Sequence, residues 1–232
     1  VIEMYSAAQI KTALELFKPF ASSSAWMSVS GGFVLRGLDR AKVVQLCASS
    51  GQIQHENLIA VDLRKISEGV QKTSDPIYFV QSDDDILMRI GQSEYRSVRL
   101  DPDEPRPHKI IDLSRIKWSV EFTLTGRQFY TFVRFAESIN DMITVRFKDP
   151  FVEWSVLRDF DHVQFDTLVC FAETKDKFHV CYSVDYLKGL SSAFKNADVV
   201  NFEIAMLMPM KIHTSVKNIA LEAVLAPRIE SD

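Results

Sequence analysis

Residues 101–117, DPDEPRPHKIIDLSRIK, constrain the fold of this chain more than any other stretch. Pro102, Pro105 and Pro107 stand among acids, and each removes a backbone donor, fixes φ and pushes the residue before it toward extended backbone. A helix is excluded there, so the stretch reads as an extended strap. It ends on an apolar patch, Ile110-Ile111-Asp112-Leu113, which packs the strap onto a core or offers a surface to a partner. The strap divides the 232 residues into two halves that repeat one plan. The expected organisation is an N-terminal domain over 1–100, a connecting strap over 101–117 and a C-terminal domain over 118–232.

The repeat is legible in periodicity. Residues 1–5 read as a strand, and Ser6-Ala7-Ala8-Gln9 opens a helix with Ile10, Leu14 and Phe17 on one face until Pro19 stops it. Residues 26–29 and 33–35 form a hairpin through Gly31-Gly32, and 43–46 is an apolar run that fits strand or helix. A second helix starts near Asp62 with Leu63, Ile66 and Val70 inward. Strands over 77–81, 86–90 and 95–100 follow, separated by Asp83-Asp84-Asp85 and Gly91-Gln92-Ser93. Beyond the strap the order returns. A strand over 118–124 leads to a helix over 126–139 with Phe129, Phe132, Val133 and Ala136 inward. Strands over 142–147, 152–157, 163–165 and 178–183 precede a fourth helix over 184–195 with Leu187, Leu190 and Phe194 inward. Strands over 199–206, 210–214 and 221–225 close the chain. The fold class is α+β: two similar domains of β-sheet with two short helices each, a structural duplication.

Composition removes several functions. A 47% hydrophobic content allows one large core or two ordinary ones, yet no apolar run is long enough to cross a bilayer, and the first residues carry no leader pattern. An intracellular chain without membrane contact is expected. Cys47, Cys170 and Cys181 are odd in number, unpaired by any CxxC and set among apolar residues, so reduced core thiols are expected. His55, His108, His162, His179 and His213 lack ligand spacing. Ser30-Gly31-Gly32 lacks the lysine and length of a phosphate loop, and Asp101-Pro102-Asp103-Glu104 lacks the glycine and distal glutamate of a calcium loop. No catalytic residue, metal ligand or cofactor is assigned.

Charge is the stronger signal. Lys11 and Lys18, Lys65 and Lys72, Arg127 and Arg134, and Lys188 and Lys195 fall on the four helices as pairs seven residues apart. At about 100° per residue, seven residues return to within roughly 20° of the start, so each pair forms a stripe. Arg64 widens the second stripe. Exposed helix faces commonly carry lysine and arginine, which alone accounts for one such pair. Recurrence on all four helices points to a shared basic surface on a chain whose net charge is −4. Such a surface meets phosphates without reading bases.

Two stretches carry a family resemblance. Gly32-Phe33-Val34-Leu35-Arg36-Gly37-Leu38-Asp39-Arg40-Ala41-Lys42-Val43 resembles the apolar alternation, Leu/Met-Asp and following Val of sliding clamps of the proliferating cell nuclear antigen (PCNA) type. The tail Leu225-Ala226-Pro227-Arg228-Ile229-Glu230 is similar to that family's ending, LAP followed by a basic residue, Ile and Glu. Asp185-Tyr186-Leu187 and Pro209 sit where a clamp has its last helix and a late proline-containing turn. The resemblance covers essentially the whole chain in order and length.

It implies the DNA clamp fold in a ring of three subunits, alike or different, whose helices face a hole around duplex DNA. Lys11, Lys18, Arg64, Lys65, Lys72, Arg127, Arg134, Lys188 and Lys195 then become pore linings. The strap becomes the interdomain connecting loop, and its Ile111 and Leu113 join Leu38, Val43, Pro209, Val224, Ala226 and Pro227 in a groove for short peptide motifs. DNA polymerase, clamp loader, flap endonuclease and ligase are the implied partners. Edge strands carrying Arg96, Ser97, Val98 and Arg99 on one subunit and Val163, Gln164 and Phe165 on the next form the subunit interface. Two departures bear on partner preference: Ala223-Val224 stands where many clamps have aromatics, and Gln45 where an apolar groove residue is usual. The implied function is a non-enzymatic processivity factor, in cytoplasm or nucleoid if archaeal and in the nucleus if eukaryotic. A checkpoint-type or divergent paralogous subunit is the alternative within the fold. A small-molecule enzyme on a duplicated fold is the alternative outside it.

Overall fold

The computed structural model describes residues 2–20, 24–29, 31–39, 41–51, 58–82, 85–97, 115–158 and 161–228. Most of the proline strap, including Ile111 and Leu113, therefore lies outside the described residues, as do Val98 and Arg99. The chain divides into two compact units, Val1–Ile110 with Ser215–Leu221, and Ile111–Thr214 with Glu222–Asp232.

In the first unit, β1 (Ile2–Tyr5) leads into α1 (Ala7–Phe17). Next come β2 (Ser24–Val29), β3 (Gly32–Leu38), β4 (Val44–Gly51) and β5 (Ile59–Asp62). Helix α2 (Leu63–Gln71) follows, then β6 (Ile77–Gln81), β7 (Ile86–Ile90) and β8 (Ser93–Ser97). The strands pair antiparallel in the orders β1-β6-β7-β8 and β4-β3-β2-β5.

The second unit holds β9 (Val120–Leu124), α3 (Gly126–Glu137), β10 (Met142–Lys148), β11 (Phe151–Arg158), β12 (Asp161–Ala172) and β13 (Phe178–Ser183). Helix α4 (Val184–Phe194) and β14 (Val200–Ile204) follow, and β15 (Met210–Val216) and β16 (Ile219–Leu225) close the chain, with Ser215–Leu221 of these two strands counted in the first unit. The second unit's order is β13-β10-β11-β12-β9-β14-β15. In chain order each half runs strand, helix, four strands, helix, three strands, and the pairings correspond except that β9 also meets β12, a pairing without a counterpart among the described residues of the first unit, so the duplication holds at the level of topology.

Local chemistry repeats as well. Ser6 caps α1 and Thr125 caps α3 through the same reciprocal box, in which the hydroxyl accepts from the amide of Gln9 or Gln128 and that glutamine accepts from the cap's own amide. Two orphan donors are satisfied at each start. Asp62 caps α2 through the amide of Arg64. The apolar stripes sink into the sheets. In the first unit Tyr5 meets Phe33 edge-on at 5.1 Å, beneath Ile10, Phe17, Ile66 and Val70. In the second, Phe122 stacks on Phe202 at 5.0 Å, and both rings meet Trp154 edge-on while Phe129 and Phe132 descend from α3. Each such side chain contributes about 1.5–3 kcal/mol by leaving water.

Three local expectations change. The ambiguous run at 43–46 is the start of β4, because Val44 and Leu46 are wholly buried in alternation with ladder neighbours. Residues 59–62 form β5, a strand too short and too close to a helix start to stand out in periodicity. The run at 163–165 belongs to β12, which continues to Ala172. Cys181 is buried and Cys47 half-buried, but Cys170 is exposed. It falls on the outward side of β12 with His162, Gln164, Asp166 and Leu168, next to the point where the β9–β12 register shifts between Val169 and Phe171.

Glu153 is a charged group in the second unit's sheet, with its side chain only 10% exposed. It accepts from Lys148 Nζ at 2.6 Å and from Arg146 Nη1, directly opposite it in the ladder, at 2.8 Å. The Lys148 hydrogen bond, then that of Arg146, holds its carboxyl below the ordinary range. A depressed carboxyl stabilises the fold above the unfolded value of about 4.3 and loses that effect as pH falls through the folded value. Glu153→Gln is therefore expected to cost about 1–2 kcal/mol at neutral pH. The deficit should fade in acid, read by denaturant unfolding at a series of pH values.

Candidate functional site

Within each unit the two helices pack against one another. In the second unit their direction is set by three contacts. Glu137, at the end of α3, meets Lys188 on α4. Tyr130, one helical stretch earlier, lies under Lys195, whose Nζ is 5.8 Å from the ring centroid. Gly126, at the start of α3, presses on the end of α4: its amide donates to Ala197 O at 3.0 Å, and a Cβ there would stand 2.0 Å from Phe194 O. The helices are antiparallel, and only glycine permits the approach. In the first unit Lys11 Nζ donates to Thr73 O at 3.0 Å, placing α1 beside the end of α2. A cation there meets the negative end of the α2 dipole.

Because Phe129, Phe132, Val133 and Ala136 of α3 and Leu187, Leu190 and Phe194 of α4 are buried, the charged stripes are left on the solvent side of the pair. Lys18, Arg64, Lys65, Lys72, Arg127, Arg134 and Lys195 are exposed, and Lys11 and Lys188 are half-buried. Lys72 is the cap residue just past α2, so the Lys65–Lys72 stripe runs to the very end of its helix. The cations are not equally free. Lys65, Lys72 and Arg127 have no ion pair among the described residues, while Lys18 has a loose exposed one to Glu15 at 3.7 Å. Arg64 reaches Asp62 at 3.6 Å. Arg134 and Lys188 both pair with Glu137, whose carboxyl they hold below the ordinary range, the Lys188 hydrogen bond being the largest cause. Sequence reasoning listed the cations and missed Glu137. Its position three after Arg134 was visible, but its contact with α4 was not.

Two strand edges carry the expected subunit-interface residues. In the first unit β8 has one strand neighbour among the described residues, β7, and carries exposed Tyr95 and Arg96, the latter 3.3 Å from Asp85. In the second, β12 pairs with β11 over 161–168, whereas β9 engages it only from Val169 onward. Residues 161–168, with Val163, Gln164 and Phe165 among them, therefore have a strand partner on one side only among the described residues. Val163 and Phe165 are half-buried on the face toward α3, where Phe165 lies 6.2 Å from Phe132.

The expected groove residues fall in both units. In the first, Leu38 and Val43 are half-exposed around the β3–β4 turn, which Asp39 organises by accepting from the amides of Ala41, Val43 and Val44. Gln45, paired in register with Leu38, is buried, and its Oε1 has no partner among the described residues. In the second unit Pro209, Ala226 and Pro227 are half-exposed, while Val224 is 1% exposed and so lies in the core rather than on the surface. Among the described residues no three His, Cys, Asp or Glu side chains converge in a group suited to a metal ion. No described helix is long and apolar enough to cross a membrane.

Comparison with known proteins places this architecture. No protein-family model matches the chain. A DNA polymerase sliding clamp of Natronomonas pharaonis is 26% identical over 219 residues, covering 91% of this chain and 79% of that one. One of Methanothrix thermoacetophila is 22% identical over 241 residues, covering 97% of each. Among solved structures, A. fulgidus PCNA bound to the C-terminal region of FEN-1 superposes with a TM-score of 0.81 at 20% identity, over 100% of this chain and 99% of that one. PCNA from Thermococcus kodakaraensis gives 0.78 at 16%, over 98% and 99%. The PCNA2–PCNA3 complex of Sulfolobus tokodaii gives 0.76 at 15%, over 99% and 100%. The fold is that of the archaeal PCNAs.

The close approach at Gly126 makes a prediction. Gly126→Ala must push α3 off α4 or bend both, and is expected to cost about 2–3 kcal/mol by overpacking. Denaturant unfolding of the purified chain checks it.

Proposed function

We propose that this chain is a DNA sliding clamp of the PCNA type, a non-catalytic processivity factor that encircles duplex DNA and tethers replication and repair enzymes. The reading is carried by one observation: each of two topologically equivalent units sets a packed helix pair on its sheet with cations turned to solvent, in a chain that matches archaeal clamps end to end. Sequence-independent cations on rigid helices suit a backbone contact that must be loose enough to slide. Lys18, Lys65, Lys72 and Arg127 are the pore cations best supported, being exposed and free of strong internal partners, with Arg64 and Lys195 beside them.

In this reading the open edges of β8, through Arg96 and Ser97, and of β12, through Val163, Gln164 and Phe165, join successive subunits. An unpaired edge is an aggregation liability that strand pairing removes. Whether the ring joins copies of one chain or paralogous chains is a matter of which edge each meets, and both arrangements satisfy it. Polymerase, clamp loader, flap endonuclease and ligase dock by short peptides on apolar surface at Leu38 and Val43 in the first unit and Pro209, Ala226 and Pro227 in the second. Ile111 and Leu113 of the strap belong to the same proposal. The buried amide of Gln45 supports a partner preference unlike that of clamps with an apolar residue there, which is the observation behind the divergent-paralogue alternative. The chain works wherever the cell's duplex DNA is.

Two measurements test this. Solution mass, alone and with candidate paralogues, should reveal a ring-sized assembly, and a stable monomer under every combination counts against the clamp. Charge reversal of Lys18, Lys65, Lys72 and Arg127 to Glu should reduce retention on closed circular DNA by at least about tenfold, given the steep dependence on phosphate contacts. The melting transition should hardly move. Retention equal to that of the parent chain would remove these residues from the pore.

A further inference from the structure

Arg134 and Lys188 have an occupation other than DNA. Glu137 accepts from Arg134 Nη1 through Oε2 at 2.5 Å within α3, and from Lys188 Nζ through Oε1 across the α3–α4 seam. One carboxylate thus bridges two cations on different helices through its two oxygens, as a phosphate group would. The helix pair of the first unit has no counterpart among the described residues. There Lys11 donates to a neutral carbonyl, and the Lys18–Glu15 pair is long, with side chains 68% and 58% exposed.

We infer that Glu137 is an internal competitor for DNA phosphate, holding Arg134 and Lys188 so that the second unit's helix pair grips duplex DNA less than its cation content allows. The inference rests on the sliding-clamp reading and adds a regulating residue to it. Its physical basis is a match of strengths. The side chains of Glu137, Arg134 and Lys188 are 31%, 48% and 42% exposed, so water and salt screen the pairs, which can exchange for a passing phosphate. Glu137 therefore attenuates contact without abolishing it. For a protein that must hold DNA yet move along it, a built-in anion lowers the number of simultaneous phosphate contacts. The depressed carboxyl keeps Glu137 charged throughout the neutral range.

Each phosphate neutralised adds about 0.9 to the slope of log affinity against log salt. Releasing Arg134 and Lys188 should then steepen the slope by about 1–2. The experiment is fluorescence anisotropy of a labelled short duplex with the full chain across a sodium chloride series. It compares the parent, Glu137→Gln, Lys188→Gln and Glu137→Gln with Lys188→Gln, each checked for an unchanged melting transition. Glu137→Gln should bind about 3–10-fold tighter at low salt with the steeper slope. Lys188→Gln should weaken binding less in the parent, where Glu137 neutralises part of that charge, than in the Glu137→Gln background, where it should remove about half the gain. Equal slopes for parent and Glu137→Gln, or effects of the two substitutions that simply add, overturn the inference while leaving the clamp reading intact. An absence of salt-dependent binding in parent and Glu137→Gln alike overturns both. Should Glu137→Gln fail to fold, Glu137→Ala decides instead: tighter binding with a steeper salt slope supports the competitor, and parental binding refutes it.

Discussion

The organisation of this chain depends on one constraint, that each short helix has an apolar face wide enough to be buried and therefore only one face left for charge. In α3, Phe129, Phe132, Val133 and Ala136 occupy the sheet side, so Arg127 and Arg134 have nowhere to go but outward. Burying either without a full set of partners would cost more than the helix gains from packing. The cationic surface is thus a consequence of core formation repeated four times. Its evenness within the second unit depends on Gly126, since a wider α3–α4 spacing would carry Lys188 away from Glu137 and Lys195 away from Tyr130.

The same economy appears at the strand edges. A sheet built from two sets of four strands must stop somewhere, and in the second unit β9 joins β12 only at its far end, where the ladder shifts at Cys170. The near end is left with unpaired backbone groups over eight residues that alternate between half-buried and exposed side chains. Pairing with another strand would satisfy those groups without altering the core, which is the physical ground for the assembly proposed above.

Much of this was legible in advance. The capping hydroxyls of Ser6 and Thr125, each followed by glutamine at the third helical position, mark two helix starts in equivalent places. Apolar spacing identified the inner faces, and seven-residue spacing of cations the outer ones, because helical periodicity is a local rule. What failed was non-local. Cys170 looks like a core thiol in its run of apolar neighbours, yet it falls on the outward side of β12, and only the packing of the sheet decides which side that is. The short β5 is a strand only because β2 lies beside it. Val224, a groove residue by resemblance, is buried although it shares its side of β16 with exposed Ala220 and half-buried Glu222, a burial that strand alternation alone does not give.

The amino-acid sequence by itself determined the number of halves, the type and order of most elements, and which side of each helix bears charge, since these follow from proline placement, caps and periods of a few residues. Tertiary structure alone decided which cations are free. Glu137 and Lys188 are fifty-one residues apart along the chain, and no period links them. Only the antiparallel packing of α3 on α4 brings carboxylate and ammonium together and separates occupied cations from the available ones.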